Sequence, residues 1–163
     1  METAYFAGGC FWCITPTFRE MEGVYDVVSG YSGGDEEKPT YEDVKYQRTG
    51  HRETIRVDYD PKKVSFEKLF DIFLASVNPF DPDGQFIDRG FSYTLAVYHL
   101  SREQKIIADE MLEKLAQEAG KTPFIAVEAF KSFYTAEECH QDYDLKNPDA
   151  FHRELVESGR ISE

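Results

Sequence analysis

Apolar and polar residues change their spacing several times along this chain, and each change marks an element. Ala4–Ala7 reads as a short strand running into Gly8-Gly9, followed by a helix from about Phe11 to Glu20. Pro16 has no N–H and a fixed φ, so it must start that helix late or kink it. Val24–Ser32 reads as a strand that ends in the glycine-rich stretch Gly30-Tyr31-Ser32-Gly33-Gly34, and Tyr41–Arg48 as a short helix or turn. His51–Tyr59 alternates with period two and predicts a strand. Phe66, Leu69, Phe70, Phe73, Leu74 and Val77 keep helical spacing, so Ser65–Val77 reads as an amphipathic helix that Asn78-Pro79 ends. The stretch Phe80–Gly90, rich in Asp, Pro and Gly, reads as a long loop, and such loops are often functional. Tyr93–His99 predicts a strand. Ser101-Arg102-Glu103-Gln104 is a capping box opening a helix to about Ala119, with Gly120 as its stop. Phe124–Phe130 reads as a strand, and Ala136–Lys146 as a last helix stopped before Pro148.

Strands alternating with helices point to a parallel α/β sheet. Short helices, and a His51 strand that alternates apolar with charged residues, point instead to a mixed or antiparallel sheet in an α+β domain. The pattern leaves both open. No linker, repeat or low-complexity segment breaks the 163 residues, so a single domain spanning 1–163 is expected. The 31 acidic against 18 basic residues leave a net charge of −13, which argues against nucleic acid and anionic membrane surfaces as partners. No apolar run approaches the roughly 20 residues of a membrane span. The start, Met1-Glu2-Thr3-Ala4-Tyr5, shows no basic stretch before an apolar one, so no signal peptide is read and a cytoplasmic protein is expected. Three cysteines, an odd number, then read as reduced thiols rather than a disulfide framework.

The densest chemistry lies in Gly8-Gly9-Cys10-Phe11-Trp12-Cys13. Two glycines let the chain turn sharply out of a strand and leave Cys10 at a helix start. There, free N–H groups and the positive end of the dipole favour a thiolate and should lower its pKa. The chain's one Trp and a Phe beside that sulfur, flanked by two cysteines and two glycines, suggest the apolar lip of a pocket; the alternative is that both rings are core. Cys13 stands at the spacing of dithiol redox motifs, where a disulfide with Cys10 is geometrically plausible; it could also be a buried structural thiol. A zinc set of Cys10, Cys13, Cys139 and His140 is a weak alternative, because adjacent Cys139-His140 lacks the usual knuckle spacing.

On the His51 strand, Arg52, Thr54, Arg56 and Asp58 form the polar face, which puts Glu53 in register with Ile55, Val57 and Tyr59 on the apolar one. A carboxyl turned toward a core tends to be held neutral. Raising a Glu from about 4.3 to near 7 takes about 3.7 kcal/mol, within reach of burial. A neutral acid at working pH is what a general acid must be. The alternative is a strand-end Glu paired with a base. Tyr93 shares the apolar face of its strand with Leu95 and Val97 and could offer its hydroxyl to a pocket. Taken alone, Asp88 reads as a turn residue and His140 as a structural histidine.

These motifs, taken in order, resemble the peptide methionine sulfoxide reductases of the A class over about residues 4–148. The matching stretches are Gly8–Trp12, Gly30–Gly34, Pro39–Val44, Thr49–Glu53, Val57–Pro61, Gly84–Tyr93, Phe133–Glu138, His140–Tyr143 and Lys146–Pro148. The resemblance implies an α+β fold with a ferredoxin-like mixed-sheet core. It implies reduction of the S epimer of methionine sulfoxide, free or in proteins, with no bound cofactor or metal and with thioredoxin as reductant. It gives Cys10 the role of nucleophile and Glu53 that of proton donor to the sulfoxide oxygen. Tyr41 and Tyr93 would hydrogen-bond that oxygen, Asp88 would support the site, and Phe11 and Trp12 would seat the S-methyl group. A monomer is expected.

Two departures from the family pattern stand out. The tail, residues 149–163, lacks the resolving cysteines many members carry there, so resolution falls to Cys13, preferred for its spacing, to Cys139, or to an outside thiol. Thr94 stands where relatives often have Arg. The rival readings are a thioredoxin-type dithiol oxidoreductase, which would place Gly-Pro rather than Phe-Trp between the cysteines, and a non-enzymatic zinc or interaction domain.

Overall fold

In the computed structural model, residues 1–161 are described. The chain runs β1 (Glu2–Gly8), α1 (Phe11–Arg19), β2 (Val24–Ser32), α2 (Tyr41–Lys45), β3 (Arg52–Tyr59) and α3 (Phe66–Ser76). It continues through β4 (Gly84–Gln85), β5 (Asp88–Arg89), β6 (Leu95–His99), α4 (Arg102–Ala119), β7 (Ile125–Ala129), β8 (Phe133–Thr135), α5 (Tyr143–Lys146) and α6 (Pro148–Glu157). Side-chain caps start several helices, each meeting an N–H that the helix itself cannot satisfy. Ser65 accepts from the Lys68 N–H, and Thr40 forms a full capping box with Asp43. Ser101 caps α4 as expected, but the Gln104 side chain accepts from the Leu100 N–H rather than from Ser101, so the box is only half made. Gly120 closes α4 in the left-handed conformation, at φ +70.

Six strands form one sheet in the order β7-β6-β1-β3-β2-β8. Every neighbouring pair is antiparallel except β6 and β7, which α4 joins as a parallel crossover. The sheet is therefore mixed and the protein α+β. Its four central strands, β6-β1-β3-β2, interleave two β-α-β units in the ferredoxin-like order. Helices α1, α3 and α4 cover one face. Phe6 lies at the middle of that core, with the rings of Phe18, Phe66, Phe70 and Phe73 between 5.0 and 6.2 Å from its own. Burying each such ring contributes about 2–3 kcal/mol.

The opposite face is also covered near its centre. Tyr5, Ala7, Ala96 and Tyr98 form a second cluster under Phe130 and Phe133. This corrects the expectation of a solvated polar face on β3: Arg52 and Thr54 are buried, while Arg56 and Asp58 are half-exposed. Arg52 is tolerated there because Thr94, Tyr98 and Glu128 take its N–H groups and the Phe91 ring covers it.

Three expected elements differ. Tyr93 is not on the β6 strand; it closes a 3-10 turn, Phe91–Tyr93, that follows Gly90. The expected helix Ala136–Lys146 is broken into a 3-10 turn, Glu138–His140, and the single turn α5, with Asp142 between them at φ +51. Arg19 accounts for the break, since it draws in both Asp142 and Asp144. Residues 149–157 of the expected tail are the body of α6, with Pro148 at its first position, where a missing N–H costs nothing. Among the described residues no helix is long and apolar enough to cross a membrane.

Candidate active site

The end of β1 delivers Cys10 to the N-cap of α1. The turn depends on Gly9, which sits at φ +85; a Cβ there would come within 2.8 Å of Gln85. Gln85 is fully buried and pins the loop before β5 by bonding the Asn78 N–H, the Asn78 carbonyl and the Gly84 carbonyl. Close approach of that loop brings Asp88, at the start of β5, toward the cysteine turn.

Glu53 enters from β3, beside Tyr31 of β2. It is only 1% exposed. Its Oε1 accepts the first N–H of α1, from Phe11, at 3.2 Å. Its Oε2 is buried with no hydrogen-bond partner. Burial lifts its pKa to about 8, helped by Asp88 and Cys13, while the Phe11 N–H and the Tyr93 hydroxyl pull the other way. Asp88 is likewise raised by burial, with Arg160 and Lys45 opposing, and its Oδ2 also lacks a partner. Tyr41, the first residue of α2, and Tyr93 are pushed well above the ordinary phenol range, by burial first and by Glu53 next. Both hydroxyls therefore stay protonated and can donate. Tyr93 is held from behind by Gln47, whose amide clamps Ser92 through two hydrogen bonds. The five residues Cys10, Glu53, Tyr41, Tyr93 and Asp88 thus come from five different elements and gather at one helix start.

The expected low pKa of Cys10 is corrected. Its thiol is raised well above the usual value, because it hydrogen-bonds to Cys13, is 5% exposed, and faces Glu53 and Asp88. The first N–H of the helix, from Phe11, is given to Glu53 rather than to the thiol. Cys13 is lowered, chiefly by the hydrogen bond from Cys10 and also by Arg160, against its own burial. Cys139 is exposed on the 3-10 turn Glu138–His140. Among the described residues no group of three or more His, Cys, Asp or Glu could hold a metal ion.

The Phe-Trp pair divides. Phe11 is fully buried and supports the site from behind, against Tyr31 and Tyr41. Trp12 is half-buried and stacks on Tyr143 at 4.0 Å. His140 lies 4.1 Å from the Tyr41 ring, centroid to centroid, and burial lowers its pKa, so it belongs to the aromatic wall as a neutral ring. Reasoning from sequence placed Tyr143 in a matched stretch but gave it no role, passed over Arg160, and read His140, taken alone, as structural. It also missed Glu137, which accepts from the Tyr31 hydroxyl and the Tyr41 N–H and so ties α2 to β2. Acidic and aromatic residues in 137–143 were the available signal, but nothing in spacing alone brings them to Trp12. Thr94, which departs from the family pattern, accepts a hydrogen bond from Arg52 Nε at 2.9 Å.

With this geometry in place, comparison with known proteins identifies the family. The family described as Peptide methionine sulfoxide reductase matches residues 2–161. A protein of Bacillus velezensis named Peptide methionine sulfoxide reductase MsrA is 46% identical over 162 residues, 98% of this chain and 91% of that one. The crystal structure of Mxr1 from Saccharomyces cerevisiae in reduced form superposes with a TM-score of 0.82 at 28% identity, covering 91% of this chain and 86% of that one. Mxr1 in complex with Trx2 shares the fold at a TM-score of 0.58 and 23% identity, covering 87% of this chain and 84% of that one. By its matched length and by its relatives, the chain belongs to the peptide methionine sulfoxide reductase family.

Proposed function

We propose that this protein reduces the S epimer of methionine sulfoxide, free or in proteins, with Cys10 as nucleophile and Glu53 as general acid. The observation that carries the reading is the buried Glu53 carboxyl, protonated at neutral pH, with one oxygen spent on the Phe11 N–H and the other without a partner beside a buried thiol. A sulfoxide oxygen is the acceptor that such an acid lacks. Glu53 gives its proton to that oxygen while Tyr41 and Tyr93 donate hydrogen bonds to it, which makes the sulfur electrophilic. Cys10 attacks and bonds to that sulfur, and the sulfur–oxygen bond of the substrate breaks with the protonated oxygen leaving as hydroxide. Hydroxide then adds to the Cys10 sulfur, and methionine leaves with the electron pair of the sulfur–sulfur bond. Cys10 becomes a sulfenic acid. The proton that Cys10 loses makes good the one that Glu53 gave, so a thiol and a sulfoxide become a sulfenic acid and a thioether. Trp12, backed by Phe11, offers an apolar seat to the S-methyl group, and Asp88 supports the protonated state of Glu53.

Cys13 then condenses with the sulfenic acid, and thioredoxin reopens the disulfide. Support for Cys13 is its position beside Cys10, whereas Cys139 is exposed. Support for thioredoxin comes from the family pattern and from the yeast relative crystallised with Trx2. The chain acts as one reductase domain, a monomer in the cytoplasm. The test is a single turnover without reductant, on the S and R epimers separately. About one methionine per chain from the S epimer alone, with two thiols lost, is expected. Methionine from neither epimer refutes the reading. Loss of a single thiol keeps the reductase and sends resolution to an outside thiol.

A further inference from the structure

Arg160 lies just beyond α6 and turns back toward the cysteine turn. Its N–H bonds the Leu155 carbonyl at 3.0 Å, and Gly159 before it sits at φ +81. The guanidinium rests 4.3 Å from the centre of the Phe86 ring. Its Nη2 stands 3.6 Å from the point a Cβ on Gly9 would occupy, one residue before Cys10. Arg160 and Cys13 line one groove together with Pro16, Asn78, Phe86 and Leu155. Nε and Nη2 are both shielded from solvent and have no acceptor among the described residues. A guanidinium keeps its charge at every working pH. Buried donors left without an acceptor are costly, and a thiolate at Cys13, on the same groove, is an anion that would answer them.

Two acids also face this region, Asp88 on β5 and Glu154 on α6, and Lys45 of α2 lies near both. Neither acid takes a hydrogen bond from Nε or Nη2. Around Cys13, the Cys10 hydrogen bond and Arg160 favour the thiolate, while burial, Asp88 and Glu154 oppose it.

We propose that Arg160 is a positioning residue for Cys13, holding its thiolate in place for attack on the Cys10 sulfenic acid. The inference rests on Cys13 being the resolving thiol. In that step the Cys13 thiol gives its proton to solvent, and its sulfur bonds to the Cys10 sulfur. The Cys10 sulfur–oxygen bond breaks, and the departing hydroxide takes up a proton as water. One sulfenic acid and one thiol yield one disulfide and one water. A C-terminal segment without a cysteine thus serves resolution through a charge.

The experiment follows iodoacetamide alkylation of the Cys13 peptide against pH in a Cys10→Ser background, for the full chain and for Arg160→Met and Arg160→Lys. Arg160→Met should move the alkylation midpoint up by about one pH unit, the size of shift that a nearby opposite charge commonly gives. Arg160→Lys should recover at least half of the shift, which a merely structural role would not do. With all three cysteines present, Arg160→Met should also lengthen the lifetime of the sulfenic acid, read by dimedone trapping after one turnover. An unmoved midpoint alongside a mapped Cys10–Cys13 bridge overturns the role of Arg160 alone. A mapped Cys10–Cys139 bridge overturns Cys13 as the resolver and, with it, the role of Arg160 in closure.

Discussion

Burial of Glu53 governs both the chemistry and the pH response of the site. Its pKa is raised from 4.5 to about 8. At ~1.4 kcal/mol per unit, that is about 5 kcal/mol of stability. The folded state binds the extra proton, so this contribution is fully present below pH 4.5 and is lost as pH rises through about 8. Glu53→Gln should therefore flatten most of the decline in stability between those limits, measured by denaturant unfolding across pH. An unchanged slope would count against burial as the cause. The same substitution should slow methionine formation in the first turnover by roughly 100- to 10,000-fold, the usual size of a general-acid term. In the parent chain that rate should fall as pH passes about 8, where the acid loses its proton. The role of Glu53 was legible because period two along β3 turns it inward with Ile55 and Val57. The state of Cys10 was not legible, because the thiol answers to Cys13, Glu53 and Asp88, and the last two arrive from β3 and β5.

At the scale of elements, the cysteine turn and the C-terminal segment hold each other. Gly9→Ala would strain a φ of +85 and drive a methyl into Gln85. It should cost about 1–3 kcal/mol and misplace Cys10, seen as a lower unfolding midpoint together with slower methionine formation. Arg19, at the end of α1, bonds Asp144 twice and Asp142 once, all at 2.8–2.9 Å. This triad fixes α5 so that Tyr143 stacks on Trp12. Trp12 is the one tryptophan of the chain, so Arg19→Ala should show in its fluorescence as a red shift and stronger acrylamide quenching. Unchanged emission would mean that Tyr143 keeps its place without the triad. Helix α1, helix α3 and the strands were legible from their periodicity and caps. The break at Asp142 was not, because it depends on an arginine more than 120 residues earlier in the chain.

At the scale of the molecule, the aromatic core supports the sheet whose strand ends carry the site. Phe70 is fully buried among Phe6, Phe66 and Phe73. Phe70→Ala should cost about 3–5 kcal/mol, or roughly 10 °C in thermal midpoint, while methionine formed per folded chain in one turnover stays near one. A midpoint within a degree or two of the parent would mean that the core closes over the gap. Local pattern determined the chemistry available here: a cysteine at a helix start, a dithiol spacing, an inward carboxyl, and strands and helices of the right period. Periodicity reports which face of an element is apolar, and glycines and caps report where elements end. Local pattern left the sheet open between parallel and mixed until the family resemblance pointed to mixed, and tertiary structure alone decided that β3 is covered on both faces, that Tyr93 reaches the site from a turn, and that Arg160 stands beside Cys13. Each of those depends on contacts between residues far apart in the chain, and no local spacing encodes them.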